Sequence, residues 1–317
     1  MSQNESQDSV DLDLDLGDQV PADVQPELTL QQKKHIANVV MAKRCLAEMI
    51  GTAVLVLVGC GAAMGLSIGD STNYIPLAIG TALAFGLVVT GLSYALGEYS
   101  GCHTNPAVSF ALYLTHKIGL KQMLWYWVAQ VVGGILGGCL LLLIFGHCDP
   151  SAGGSTLATL ASNSVNMTNL WSSWNGTGGT VPAAYSAEGW PFLFIGLAAE
   201  IFFAFAFVFT VLCTGHKRDN GPVSGIALGL ALTSVILLGF NITGTGVNPA
   251  RSLGTAVMAM ANGEFEPIRE IWIFILGPMA GAALAVLAYR GIWHSHGASA
   301  PHSRFNPFRN GIVSRRK

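Results

Sequence analysis

Charge is scarce in this sequence. Only 11% of its 317 residues are charged, whereas 51% are hydrophobic. A soluble domain carries about 25% charged residues, so this chain lacks the charge that would solvate globular surfaces. The 16 basic and 18 acidic residues give a net charge of −2, which excludes the basic surface of a nucleic-acid-binding protein. The composition therefore predicts an integral membrane protein.

The sequence also lacks the motifs of metal, redox and catalytic chemistry. Its 6 cysteines include no pair at metal-ligand spacing, and most of them lie in apolar stretches. Neither a metal site nor a disulfide is expected. No nucleophile–base pair or phosphate-binding loop is present, so the sequence predicts no enzyme and no cofactor.

The most prominent feature of the sequence is a series of apolar runs that are long enough to cross a bilayer. A hydrocarbon core of about 30 Å takes roughly 20 helical residues. Six segments meet this length, and the first and fourth contain single acidic residues, Glu48 and Glu200. The predicted spans are about 42–66, 74–97, 122–145, 190–214, 223–242 and 271–288.

Lysine and arginine cluster on one side of these spans. They precede the first span, lie between the second and third and between the fourth and fifth, and follow the sixth. Because basic residues favour the cytoplasmic side, both termini are expected to be cytoplasmic. The loop at 147–189, which has no basic residue, is then extracellular. It contains two glycosylation sequons, at Asn166 and Asn175.

Two apolar segments are too short to span, and both begin with the same tripeptide. Asn105-Pro106-Ala107 recurs as Asn248-Pro249-Ala250. Asparagine is a favoured helix N-cap and proline suits the first helical position, so each motif predicts a short helix, about 106–114 and 249–260. A single Asn-Pro would be an ordinary loop feature. Two copies at matching places in two three-span halves predict an inverted repeat, with the helix N-termini meeting at mid-membrane.

With these motifs and their flanks, Ser100 to Val108 and Thr243 to Ser252, the sequence resembles the aquaporin, or major intrinsic protein, family of water and small-solute channels. The resemblance covers about residues 40–292. It implies an all-α membrane fold of six transmembrane helices plus two re-entrant half-helices, in a right-handed bundle. It also implies one pore per protomer and a homotetramer in a lipid bilayer, with the plasma membrane as the expected location.

The chain is accordingly divided into three parts. Residues 1–40 are expected to be a disordered acidic cytoplasmic tail, with a solvated tail favoured over a regulatory segment. Residues 41–292 form the channel domain, with halves at about 41–146 and 190–292 joined by loop 147–189. Residues 293–317 are a second cytoplasmic tail.

Matching the family's motifs residue by residue gives the candidate pore. The family narrows at an aromatic and arginine constriction, and the corresponding positions here are Phe85, Ile236, Thr245 and Arg251. Water-selective members usually place histidine where Ile236 stands. Arg251 is expected to face the pore rather than to snorkel as a lipid anchor, and His103 is expected to line the pore vestibule.

The paired carboxylates Glu48 and Glu200 have two interpretations. Buried membrane carboxylates often relay protons, but their symmetric placement favours accepting backbone donors from the re-entrant loops. The sequence thus predicts a passive channel for water that excludes ions and protons, with ammonia, hydrogen peroxide and urea as further solutes. A secondary transporter and an adhesive membrane protein are the alternatives.

Overall fold

The computed structural model describes residues 29–68, 74–146, 156–166, 190–215 and 221–293. In these ranges the chain forms helices and no strand. In chain order the helices are α1 (Leu30–Ser67), α2 (Tyr74–Ser100), α3 (Pro106–Leu114), α4 (Leu120–Phe145), α5 (Trp190–Thr214), α6 (Gly221–Gly239), α7 (Pro249–Ala261), α8 (Glu266–Arg269) and α9 (Ile271–Trp293). The chain divides into two parts, Met1–Arg44 and Cys45–Lys317.

In the first part, the described residues are helical from Leu30 onward. A capping box starts the helix: the Thr29 N–H donates to Gln32 Oε1 (2.9 Å), and the Gln32 N–H donates to Thr29 Oγ1 (3.2 Å). The end of the predicted tail 1–40 is therefore helix. Lys33 and Lys34 disfavour burial of this stretch in the membrane core. Lysine is nevertheless compatible with a helix.

In the described residues, five helices are long and apolar enough to cross a membrane: Leu30–Ser67, Ile75–Ser100, Leu120–Phe145, Pro191–Thr214 and Ile271–Trp293. The apolar stretch of α6, Val223–Gly239, is shorter. This helix ends at Gly239 rather than near residue 242 as predicted, because the chain turns there toward the second Asn-Pro-Ala motif. All 19 residues of α6 would span about 28 Å, close to the thickness of the bilayer core.

The second part packs its helices through glycines. Gly86 of α2 and Gly229 of α6 lie back to back, since a Cβ on either one would come within 2.6 Å of the other's carbonyl oxygen. Gly281 of α9 packs in the same way on the α5 backbone, with its Cβ position 2.3 Å from the Ile201 oxygen. Small residues let membrane helices approach closely and gain van der Waals contact. Large apolar side chains such as Leu87 and Leu143 are exposed, as expected for surfaces that face lipid.

Each of the two half-helices, α3 and α7, packs against a long helix from the other half of the chain. Helix α3 packs against α9, and α7 packs against α4. Helix α3 has the predicted ends and α7 extends one residue further than predicted. In both, the asparagine N-cap has extended backbone and proline follows in the first turn. These caps fix where the two Asn-Pro-Ala motifs begin to be helical.

Candidate pore

The two Asn-Pro-Ala motifs meet and bind each other. Each asparagine caps its own half-helix: Asn105 Oδ1 accepts from the Ala107 N–H (2.8 Å), and Asn248 Oδ1 accepts from the Ala250 N–H (3.1 Å). Each amide nitrogen reaches across to the opposite loop. Asn105 Nδ2 donates to the Val247 oxygen (2.9 Å) and Asn248 Nδ2 donates to the Thr104 oxygen (2.8 Å).

These cross-loop bonds refine the expectation from sequence. Because capping occupies only the side-chain oxygen, the motifs by themselves predict that both amide donors of each asparagine point into a lumen, and this is wrong for one donor of each. In the structure one donor of each amide binds the opposite loop, and the other makes no bond to a described residue. Each asparagine therefore retains a single N–H for a molecule in the lumen, and that N–H is held in place by the two bonds that fix the rest of the amide.

The two loops that precede the motifs share one backbone conformation. Left-handed φ values occur at Gly101 (88°), Cys102 (48°) and Thr104 (45°), and at the matching positions Gly244 (69°), Thr245 (51°) and Val247 (46°). Non-glycine residues in this region cost about 1–3 kcal/mol each. Surrounding contacts must offset that cost, and the paired carboxylates supply them.

Glu48 and Glu200 are fully buried and hold one loop each. Glu48 accepts from Ser100 Oγ (2.6 Å) and from the N–H groups of His103 (2.9 Å) and Thr104 (2.6 Å). It also accepts from Gln130 Nε2 (2.8 Å).

Glu200 accepts from Thr243 Oγ1 (2.6 Å) and from the N–H groups of Gly246 and Val247 (both 2.8 Å). Charge-assisted bonds of this kind contribute about 1.5–3 kcal/mol each. The bonds to each carboxylate therefore help to offset the strain of the loop that it holds. The donors on the two loops lie at matching positions, as the structural interpretation of the pair predicted.

A cavity runs along both motifs. Asn105 and Asn248 line it, as do residues 101–104 and 245–247 of the loops that precede the motifs. Much of the remaining wall is apolar, including Leu55, Val89 and Phe207. An apolar wall with a few fixed polar groups gives a small polar molecule few binding partners, so its residence in the cavity should be short.

The cavity wall also contains each residue predicted for the constriction, namely Phe85, Ile236, Thr245 and Arg251. The Arg251 guanidinium carbon lies 5.5 Å from the centre of the Phe85 ring. Thr245 Oγ1 lies 3.4 Å from the Ile236 carbonyl oxygen. These four side chains are each at most 5% exposed, so a buried cation, a hydroxyl and two apolar side chains share one site.

His103 also lines the cavity, at the first loop. Its Nδ1 lies 3.0 Å from Ser109 Oγ, and its ring meets the Tyr126 ring edge-on with centroids 5.0 Å apart. These contacts fix the imidazole in the wall. The structure therefore brings this predicted vestibule residue to the same cavity as the asparagines.

Sequence reasoning missed a segment that crosses over the constriction. We call residues 156–166 the strap. Asn163 and Ala161 of the strap both bind the Arg251 guanidinium. The Val165 N–H donates to Glu270 Oε2 (2.7 Å). In the sequence the strap is an uncharged stretch of a long loop whose one recognised motif is the sequon at Asn166, so its role depends on contacts distant in the chain.

The predicted glycosylation sites are only partly described. The Asn166 side chain is exposed, and its backbone N–H donates to the Ile242 oxygen (2.9 Å). Asn175 lies outside the described residues. Among the described cysteines, Cys102 lines the cavity, whereas Cys60 is fully buried.

Comparison with known proteins agrees with this architecture. Residues 35–289 match the profile of the major intrinsic protein family. The chain is 34% identical to Aquaporin Z of Brucella melitensis biotype 1 over 259 residues, covering 80% of this chain and 98% of that protein. It is 35% identical to Aquaporin Z of Rhodopseudomonas palustris over 247 residues, covering 77% and 91%.

Among solved structures, the X-ray structure of the aquaglyceroporin from Plasmodium falciparum superposes with a TM-score of 0.61. The two are 20% identical, and the match covers 78% of this chain and 95% of that one. This similarity shows a shared fold of spanning helices and two half-helices. Together with the sequence matches over most of its length, it places this multi-pass membrane protein in the major intrinsic protein family.

Proposed function

We propose that the chain is a passive channel that conducts water through the cavity between its two Asn-Pro-Ala motifs. The observation that carries this proposal is that one cavity is lined by both asparagines and by Phe85, Ile236, Thr245 and Arg251. A molecule that crosses the membrane by this route passes a buried cation and two fixed amide donors. No conformational cycle is needed for such a passage.

Two features of the cavity exclude ions and protons in this proposal. The N-termini of α3 and α7 meet at the motifs, and each carries about half a positive charge from its helix dipole. Together with Arg251 they oppose cations. The remaining N–H of each asparagine donates to the oxygen of a passing water. That water then directs its own hydrogens away from the motifs, which interrupts a proton wire.

We propose that the constriction also admits small neutral solutes such as ammonia, hydrogen peroxide or urea. Ile236 stands where the family's water-selective members usually carry histidine, and it is 3% exposed in the cavity wall. An aliphatic side chain there offers no hydrogen bond. The channel then discriminates between water and a small solute mainly through the Arg251 side chain and the size of the opening.

The carboxylates argue against a secondary transporter. A coupled transporter needs acidic groups that bind and release an ion. Glu48 binds four donors and Glu200 binds three, and both are fully buried. Releasing these donors would free the strained loops. The two side chains are therefore proposed to hold the loops and not to relay protons.

The orientation of the chain, its location and its oligomeric state belong to the same proposal. The distribution of lysine and arginine supports cytoplasmic termini, and the strap then lies on the extracellular side. The family resemblance supports a homotetramer in the plasma membrane. Exposed leucines such as Leu87 and Leu143 offer apolar surface both to lipid and to neighbouring protomers.

Osmotic swelling of proteoliposomes tests the proposal. A channel gives water flux with a low activation energy and solute flux that does not saturate. A transporter saturates, and an adhesive protein conducts nothing. Asn248→Ala removes the cap on α7 and the bond to the Thr104 oxygen, so it should lower the water flux at equal reconstitution. Unchanged flux in this variant would show that water does not pass the motifs.

Selectivity is tested with Ile236→His. The imidazole restores a donor and narrows the space beside Thr245, so the ratio of urea or ammonia flux to water flux should fall in the same vesicles. Leu230→His is the matched control, because Leu230 is on the same helix but is 63% exposed. A ratio that is equal in wild type and Ile236→His would remove Ile236 from the selectivity site.

A further inference from the structure

Asn163 is a buried polar residue of the strap, with 2% of its surface exposed. Its Oδ1 accepts from Arg251 Nη1 and from Ser252 Oγ (2.7 Å), and its Nδ2 donates to the Thr243 oxygen (3.2 Å). One side chain thus binds Thr243 in the loop before the second motif and two residues at the start of α7, Arg251 and Ser252. A buried amide with both ends bonded is fixed in orientation.

The guanidinium of Arg251 is enclosed by strap residues and by the Phe85 ring. Nη1 donates to Asn163 Oδ1, and Nη2 donates to the Ala161 oxygen (3.1 Å). Ala161 has a left-handed φ of 50°, which costs energy for a residue with a Cβ. That conformation directs its carbonyl toward the arginine. Two strap residues therefore determine where the cation of the constriction lies.

The strap is also anchored at points that do not involve Asn163. The Val165 N–H binds Glu270, the Asn166 N–H binds the Ile242 oxygen, and Asn262 Nδ2 donates to the Ala158 oxygen (3.0 Å). Leu157 and Leu160 are buried in the apolar core. A change confined to the Asn163 side chain should therefore leave the strap in place while altering what it offers to Arg251.

The chemistry of the acceptor matters as well. An amide oxygen accepts from the guanidinium without neutralising it, whereas a carboxylate would form an ion pair. Asn163 thus fixes the cation and leaves its full charge to act on the lumen. Loss of a charge-assisted bond changes the balance between orientations by about tenfold or more. A guanidinium without this acceptor turns toward the lumen, where water is the available partner.

We propose that Asn163 is a positioning residue that sets the conductance and selectivity of the pore by holding the Arg251 guanidinium against the wall. This inference rests on the proposed channel function. It names the strap, and not only the cavity wall, as a part of the selectivity machinery.

The test is a double-mutant cycle in proteoliposomes with Asn163→Leu and Arg251→Val. Asn163→Leu has similar volume but no acceptor, so water flux per channel should fall by roughly threefold or more and its activation energy should rise. In the Arg251→Val background the same substitution should change neither quantity. Asn163→Asp, which retains an acceptor, should restore most of the water flux.

Asn262→Leu is the matched control. It removes a strap contact that does not involve Arg251, and its flux should equal that of wild type. An equal loss from Asn163→Leu with and without Arg251 would overturn the proposal, since Asn163 would then act only on the strap. If Asn163→Leu does not reconstitute, Asn163→Ala takes its place in the cycle. A wild type that conducts no water would instead refute the proposed function.

Discussion

At the contact between α4 and α7, the effect of adding a single methyl group can be estimated from the structure. Gly134 of α4 and Gly254 of α7 face each other without side chains. A Cβ added at Gly134 would lie 2.2 Å from the Ala250 oxygen, and one added at Gly254 would lie 2.2 Å from the Gly134 carbonyl carbon. Ala250 belongs to the second Asn-Pro-Ala motif, so Gly134→Ala presses directly on the pore.

The displacement can be worked out from these distances. A carbon and a carbonyl oxygen in contact stand about 3.3 Å apart, so the start of α7 must move by about 1 Å. The bond from Asn248 Nδ2 to the Thr104 oxygen is 2.8 Å, and hydrogen bonds of this type weaken beyond about 3.2 Å. Overpacking costs about 1–3 kcal/mol. The substitution should therefore lower both stability and water flux.

The assay compares melting temperature in detergent with swelling rates at equal reconstitution. Gly254→Ala should reproduce the effect from the opposite helix. Gly91→Ala is the control: an added Cβ there meets nothing within 4 Å, and alanine is favoured over glycine inside a helix by about 0.5–1 kcal/mol. Wild-type melting and flux in Gly134→Ala would refute the claim that this crossing positions the second motif.

Two further predictions concern Glu270, which anchors the strap, and Cys102, which lines the cavity. Burial raises the pKa of the Glu270 carboxyl to about 7, from an unfolded value of 4.5. Since the folded protein then binds more protons between these values, its melting temperature should rise as the pH falls from about 8 to 5, and Glu270→Gln should lack this component; equal pH slopes would contradict it. Any block of water flux by a mercurial should be lost in Cys102→Ser, because Cys102 lines the cavity and Cys60 is fully buried; strong block that persists would locate the reactive thiol elsewhere.

Local signals explain how much of the fold was predictable from the sequence. The ends of α3 were predicted correctly, because an asparagine cap followed by proline fixes a helix start within a few residues. The start of α1 at Leu30 was missed, since hydropathy reports where a helix can enter the membrane and not where it begins. The end of α6 at Gly239 was also missed, because the turn depends on the packing of the loop that follows.

The candidate site, too, was predictable from the sequence only in part. The resemblance to the family predicted Phe85, Ile236 and Arg251 for the constriction, and the three residues line one cavity. The contacts of Asn163 and Glu270 could not be predicted, because each depends on residues at least 80 positions away in the chain. The bond from each asparagine to the opposite loop was likewise hidden, although both motifs were identified. The family resemblance indicated which residues line the cavity but not the hydrogen bonds that orient them.

The reciprocal bonds between the motifs have a consequence for how the molecule is assembled. While only the first half has been synthesised, the Thr104 carbonyl and the Asn105 amide lack the partners that they have in the finished protein. Buried polar groups without partners are costly in a membrane, so the centre of the pore closes only when the second half arrives. Because donor and acceptor occupy matching positions in both loops, two identical halves in opposite orientations would satisfy the same bonds. The closed centre of the pore is therefore a joint product of the two halves, and neither half can complete it alone.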